Sequence, residues 1–92
     1  MTSPVVFDLP ENLTIASTEA LHEQLEPLSN GSADVVFNAS AVSRADTAGL
    51  QLLYSFLKTL KSHDASLSWS APSSVLIDTA EQLGLKQHLA LD

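Results

Sequence analysis

Short runs of strand-forming residues alternate along this chain with stretches of helical spacing, and that alternation restricts the fold more than any other feature. Val35-Val36-Phe37 is a continuous β-branched and aromatic run. A loop of small residues, 38–46, separates it from a segment in which Leu50, Leu53, Tyr54, Leu57 and Leu60 recur at helical spacing. Lys58, Lys61 and Ser62 fall off that stripe, so the spacing predicts an amphipathic helix over 47–63. Leu67 to Trp69 then reads as a strand, with Ser66, Ser68 and Ser70 alternating against it.

The flanking segments extend the pattern. Val5-Val6-Phe7 is a strand closed by Pro10, and Leu13-Thr14-Ile15 is a second extended piece. Ser17 or Thr18 is placed to cap a first helix, with Glu19 at its positive end and Leu21, Leu25 and Leu28 as its apolar stripe. His22, Glu23 and Glu26 lie off that stripe, and Asn30-Gly31-Ser32 is expected to end the helix. Pro72-Ser73-Ser74 breaks the chain and caps a third helix, in which Val75, Leu76, Thr79, Ala80 and Leu83 can pack and which Gly84 stops. Residues 85–92 close the chain with one more helical turn.

The resulting order is β, β, α, β, α, β, α. Strands alternating with helices imply parallel crossovers, hence an α/β fold with helices packed on a sheet. The expectation is one domain over 1–92, with about four strands in a mixed, mostly parallel sheet and three to four helices. The run at Val35–Phe37 fits a strand covered on both faces.

Several function classes are disfavoured by what the chain contains. It has no cysteine, which removes disulfides, thiolate catalysis and cysteine-based zinc sites. Its three histidines, His22, His63 and His88, are dispersed, and read as surface residues rather than metal ligands. Only three glycines are present, and no glycine-rich phosphate loop or Gly-x-Ser-x-Gly elbow occurs. The reading is therefore a protein that is not an enzyme and takes no cofactor and no metal. The net charge is −7, and all four bases (Arg44, Lys58, Lys61 and Lys86) lie after six acids. Such a surface repels nucleic acid and anionic membranes. The apolar stretch from Leu50 to Leu60 is interrupted by Gln51, Ser55, Lys58 and Thr59, which disfavours membrane insertion. With no targeting signal in residues 1–10, a cytoplasmic location is expected.

The segment Arg44-Ala45-Asp46-Thr47-Ala48-Gly49-Leu50 stands at the start of the most amphipathic helix. As plain structure it is a cap, in which Asp46 or Thr47 accepts free N–H groups and Gly49 lets the first turn pack closely. As function, a helix start with free N–H donors suits a phosphate on a neighbouring hydroxyl. A phosphate on Thr47 would add nearly two negative charges to a contact surface and could switch docking off. Both readings stand on residue chemistry.

The stretch from Val35 to Leu53 resembles the signature of the STAS domain family, the sulfate-transporter and anti-sigma-factor-antagonist domains. There a hydrophobic strand and loop lead to Asp-Ser/Thr-x-Gly-Leu opening a helix, and Asp46, Thr47, Gly49 and Leu50 match one for one. Asn12 to Ser17, Ser70-Ala71-Pro72-Ser73 and Glu81 to Leu85 resemble flanking parts of the family pattern, with Thr14 where an Asp is frequent. The resemblance implies a small α/β domain without catalysis. It implies phosphorylation of Thr47 by a serine/threonine kinase that is also an anti-sigma factor, as in bacterial anti-sigma factor antagonists that regulate transcription. Gly49 and Leu50 would lie beside the partner face. Val42-Ser43-Arg44 ahead of the motif is also similar to the small STAS subunit of the phospholipid-asymmetry ABC transporter, where the threonine contacts the ATPase subunit. A chemosensory adaptor is a third possibility. The partner surface is expected at Ser43, Arg44, Asp46, Thr47, Ala48, Gly49, Gln51, Ser55 and Lys58.

Overall fold

The core of the sheet is the Val-Val-Phe pair of runs laid side by side, as seen in the computed structural model, which describes residues 4–29 and 33–91. Strands β1 (Val5–Asp8), β3 (Val35–Asn38) and β5 (Leu67–Ser70) form one sheet in the order β1-β3-β5. Both pairings are parallel, with Phe7 opposite Phe37 and Phe37 opposite Trp69. Helix α1 (Thr18–Ser29) lies on the crossover from β1 to β3, and α2 (Thr47–Ser62) on that from β3 to β5. Helix α3 (Ser74–Gln82) follows β5.

Two residues of each remaining extended piece, β2 (Asn12–Leu13) and β4 (Arg44–Ala45), pair with each other in a separate parallel ladder. The expected four-stranded mixed sheet is thus three strands plus a two-stranded ladder, every pairing parallel. The extended piece read at 13–15 stops at Leu13, because Ile15–Ser17 turns as a short 3-10 helix into α1. Neither Ser17 nor Thr18 caps α1 by accepting its N–H groups. The Ser17 hydroxyl donates to the Asn12 and Thr14 carbonyls, and that of Thr18 donates to the Ile15 carbonyl. The expected stop at Asn30-Gly31-Ser32 lies outside the described residues.

The sheet is covered on one face, not two. Val35 and Phe37 are buried, whereas Val6 is 64% exposed and Asp8, Ser68 and Ser70 on the same side meet water. Parallel sheets usually bury both faces. Here the second face is mostly polar, and Asn38 Nδ2 donates to Asp8 Oδ1 at 3.0 Å across β1 and β3. The packed face carries an aromatic cluster around Phe37. Its ring centroid lies 5.4 Å from Phe56 and from Trp69, and 6.0 Å from Phe7. Leu21, Leu25, Leu53, Leu60, Leu76, Ala80 and Leu89 complete the same core.

The helical stripes are mostly as spaced. Leu50, Leu53, Leu57 and Leu60 are buried, but Phe56 replaces Tyr54 as the fifth core residue of α2. Tyr54 is half-buried and stacks edge-on to His88, with Lys58 Nζ 4.9 Å above its ring. In and after α3, Val75 and Leu83 remain exposed, contrary to expectation, because the helix turns Leu76 and Ala80 fully inward and leaves Thr79 half-buried. Gly84 has φ +71°, and the Leu85 N–H reaches back to the Ala80 carbonyl, a left-handed stop that glycine adopts without penalty.

Candidate functional site

The β2–β4 ladder fixes the approach to α2. The N–H groups of Ser43 and Arg44 both donate to the Glu11 carbonyl, at 2.8 and 3.1 Å, and that of Asp46 donates to Leu13 at 3.0 Å. This holds the loop after β3 against the segment that leads into α1. Asp46 then leaves the ladder in extended geometry and serves as N-cap. Its two oxygens bond in different directions. Oδ1 accepts the Gly49 N–H at 2.9 Å, while Oδ2 accepts the Ile15 N–H at 3.0 Å. One carboxylate therefore caps α2 and ties down the 3-10 turn.

Those donors hold the Asp46 carboxyl below its ordinary range, chiefly through the Gly49 N–H, then that of Ile15, against an opposing effect of burial and with help from Ala48. A depressed carboxyl contributes stability above its unfolded-state value, about 3.9, and loses it as pH falls through the folded-state value. Asp46→Asn, which keeps one acceptor oxygen and no charge, is expected to be less stable than wild type at pH 7. That gap should narrow as the pH falls below about 4. Urea unfolding at both pH values checks it.

Gly49 is required by space. A Cβ there would stand 2.0 Å from the Leu13 carbonyl oxygen and 2.4 Å from its carbon. The first turn of α2 thus presses directly on the β2 backbone, and Leu50 is fully buried behind it. Gly49 and Leu50, set beside the partner face by the family resemblance, are framework in this fold. Thr47 differs from its neighbours. It is exposed, and among the described residues its hydroxyl makes no hydrogen bond. Ala48 is half-buried.

The other predicted residues are accessible. Ser43 and Arg44 are exposed beside the motif, and Ser43 Oγ makes a long 3.4 Å bond to Glu11. Arg44 does not pair with Asp46. The ion pair present among the described residues is Lys86 with Glu81, at 3.9 Å. Gln51, Ser55 and Lys58 are exposed at helical spacing, so they continue Thr47 as a ridge along α2. Sequence reasoning missed Ile15, placed in a strand but held on the turn, 72% exposed, by Asp46. No local signal could have found a bond spanning 31 positions.

Other features are modest. A groove of about 90 Å³ runs between α1 and α2, bordered by His22, Leu25, Leu52 and Phe56, and two wider, open depressions of about 400 and 310 Å³ lie on the surface at Gly84, Lys86 and Gln87 and at Asp78 and Gln82. Among the described residues no three His, Cys, Asp or Glu side chains gather in a potential metal site. No described helix is long and apolar enough to cross a membrane.

The site is thus a capped helix start on a one-sided α/β sheet, with the Thr47 side chain exposed upon it. The family model described as "Mlab, STAS domain" matches residues 2–91, and the chain belongs to the STAS domain family. STAS domains generally mediate protein–protein interactions. No curated protein matches the chain.

Proposed function

We propose that the chain is a non-catalytic regulator that docks to a protein partner through the exposed start of α2, and that phosphorylation of Thr47 releases the partner. The division of roles within the motif carries this reading. Asp46, Gly49 and Leu50 each have a structural task, whereas Thr47 is exposed and its hydroxyl is unengaged among the described residues. A kinase can reach a hydroxyl so placed. A phosphate adds about −1.5 to −2 charges at neutral pH, and burying it against a partner without matching cations is costly. On this reading the partner is a serine/threonine kinase that is also an anti-sigma factor, the setting is the bacterial cytoplasm, and the output is transcription.

The expected result in cells is a chain carrying one phosphate, detected by intact mass, and lost in Thr47→Ala. Absence of phosphate across growth conditions would remove the switch and leave the docking. A second reading, favoured by Val42-Ser43-Arg44 ahead of the motif, is a constitutive accessory subunit of an ABC transporter ATPase. It predicts stable co-purification with an ATP-binding-cassette subunit, disrupted by Thr47→Glu, with no phosphate on the wild-type chain.

A further inference from the structure

We infer that Ile15 is the apolar anchor of the same docking surface, and that it fits a protein partner offering an uncharged, apolar cleft beside its contact with Thr47. This rests on the docking reading of the α2 start. Ile15 is 72% exposed, ahead of Val6 at 64%, Leu83 at 40% and Val75 at 38%, the other exposed large hydrophobics among the described residues. Single exposed apolar side chains are common and need no explanation. Ile15 differs in where it stands, because the carboxylate that caps α2 beneath Thr47 also holds its backbone N–H.

Its N–H donates to Asp46 Oδ2 at 3.0 Å, and its carbonyl accepts the Thr18 hydroxyl at 2.9 Å. The turn around it is closed by Ser17, whose N–H donates to the Thr14 carbonyl at 2.9 Å and whose Oγ accepts the Thr14 N–H at 3.1 Å. A side chain on a backbone already fixed loses little freedom on binding, the condition under which one apolar anchor contributes most. The group that fixes it is the carboxylate that caps α2, so Asp46 sets the positions of Ile15 and Thr47 together.

Charge indicates what the occupant is. The chain carries −7, and α1 alone presents Glu19, Glu23 and Glu26 to solvent. Yet the exposed residues on the 3-10 turn and the start of α2, Ile15, Ala16, Thr47 and Gln51, are uncharged, with the charged Arg44, Lys58 and Glu19 at the border of this patch. The ionised Asp46 carboxylate between them is engaged by backbone N–H groups on both oxygens. A partner drawn by charge would settle on α1 and would detach in salt. One seated over Ile15 and Thr47 meets a patch whose centre is uncharged and partly apolar and whose charges lie at the rim, so the part of its face that covers Ile15 is apolar and that contact changes little with salt.

The test places the photocrosslinker p-benzoylphenylalanine in place of Ile15, of Thr47 or of Gln24, an exposed α1 residue, in the cells the chain comes from. The expected result is the same protein captured from positions 15 and 47 and not from 24. With that protein purified, Ile15→Ser should weaken binding by about tenfold or more at both low and high salt, with the urea midpoint unchanged. Ile15→Val should cost less than about threefold. Capture from position 47 without 15, equal capture from 24, or wild-type affinity in Ile15→Ser would overturn the inference and leave the docking reading standing. Failure to capture any protein from position 47 would remove the docking reading itself.

Discussion

Alanine at position 49 is expected to destabilise the fold by about 3 kcal/mol or more, although it adds a single methyl group. The added Cβ would stand 2.0 Å from the Leu13 carbonyl oxygen, far inside van der Waals contact. That oxygen cannot simply retreat, because it accepts the Asp46 N–H at 3.0 Å and so belongs to the β2–β4 ladder. Relief requires α2 to move off β2, which pulls the Asp46 carboxylate from one of its two donors and lifts Leu50 from the core. For a domain of this size the loss corresponds to roughly 10–20 °C in thermal midpoint. Gly84→Ala is the comparison. No atom lies within 4 Å of its Cβ, and the cost is the positive φ alone, about 1 kcal/mol. A calorimetric midpoint for Gly49→Ala equal to that of wild type would contradict the packing described.

The second large effect belongs to Phe37. It is fully buried at the centre of the middle strand, and three aromatic rings lie within 6.0 Å of its centroid. Phe37→Ala removes the ring that joins β1, β5 and α2, at an expected cost of about 3–5 kcal/mol. Domains as small as this hold only about 5–15 kcal/mol in total, so the variant is expected to sit near the edge of folding. Phe37→Leu retains most of the volume but loses the ring contacts, and should cost about half as much. Urea unfolding of both variants, read by Trp69 fluorescence, measures the series. Equal stability of Phe37→Ala and wild type would show that the aromatic cluster is not the centre of the core.

The sequence disclosed the parts of the fold whose cause is local. Leu21 with Leu25, and Leu50 with Leu53, Leu57 and Leu60, are spaced by the helical repeat, and that spacing survives in the structure. Phe56 stands three residues after Leu53 and four before Leu60, on the buried face of α2, although the stripe read from the leucines takes in Tyr54 instead. Phe56 is buried because α2 is covered from two directions, by the sheet at Phe37 and by α1 along the groove. The open face of the sheet was hidden for a related reason. Val6 and Val36 are apolar like their neighbours, so the run reads as buried throughout, although every second residue points away from the helices. The β2–β4 ladder is two residues long on each side, too short for a periodic pattern to declare it.

The candidate site divides in the same way. Asp46 as a cap and Gly49 as a close-packing residue could be read from their places ahead of and inside a helix start. Which backbone Gly49 touches, and that Asp46 also holds Ile15, depend on contacts spanning more than thirty positions. Only the folded chain separates the residues that build the helix start from the one left free upon it.

The most direct measurement of the central claim is the affinity of the chain for the protein it captures from its own cells, for wild type, Thr47→Ala and Thr47→Glu. Thr47 is exposed and outside the framework contacts, so both variants should unfold within about 0.5 kcal/mol of wild type. If the start of α2 is the docking surface, Thr47→Glu weakens binding by about a hundredfold while Thr47→Ala stays within about tenfold of wild type. Equal affinity of Thr47→Glu and wild type would place the docking surface elsewhere on the chain.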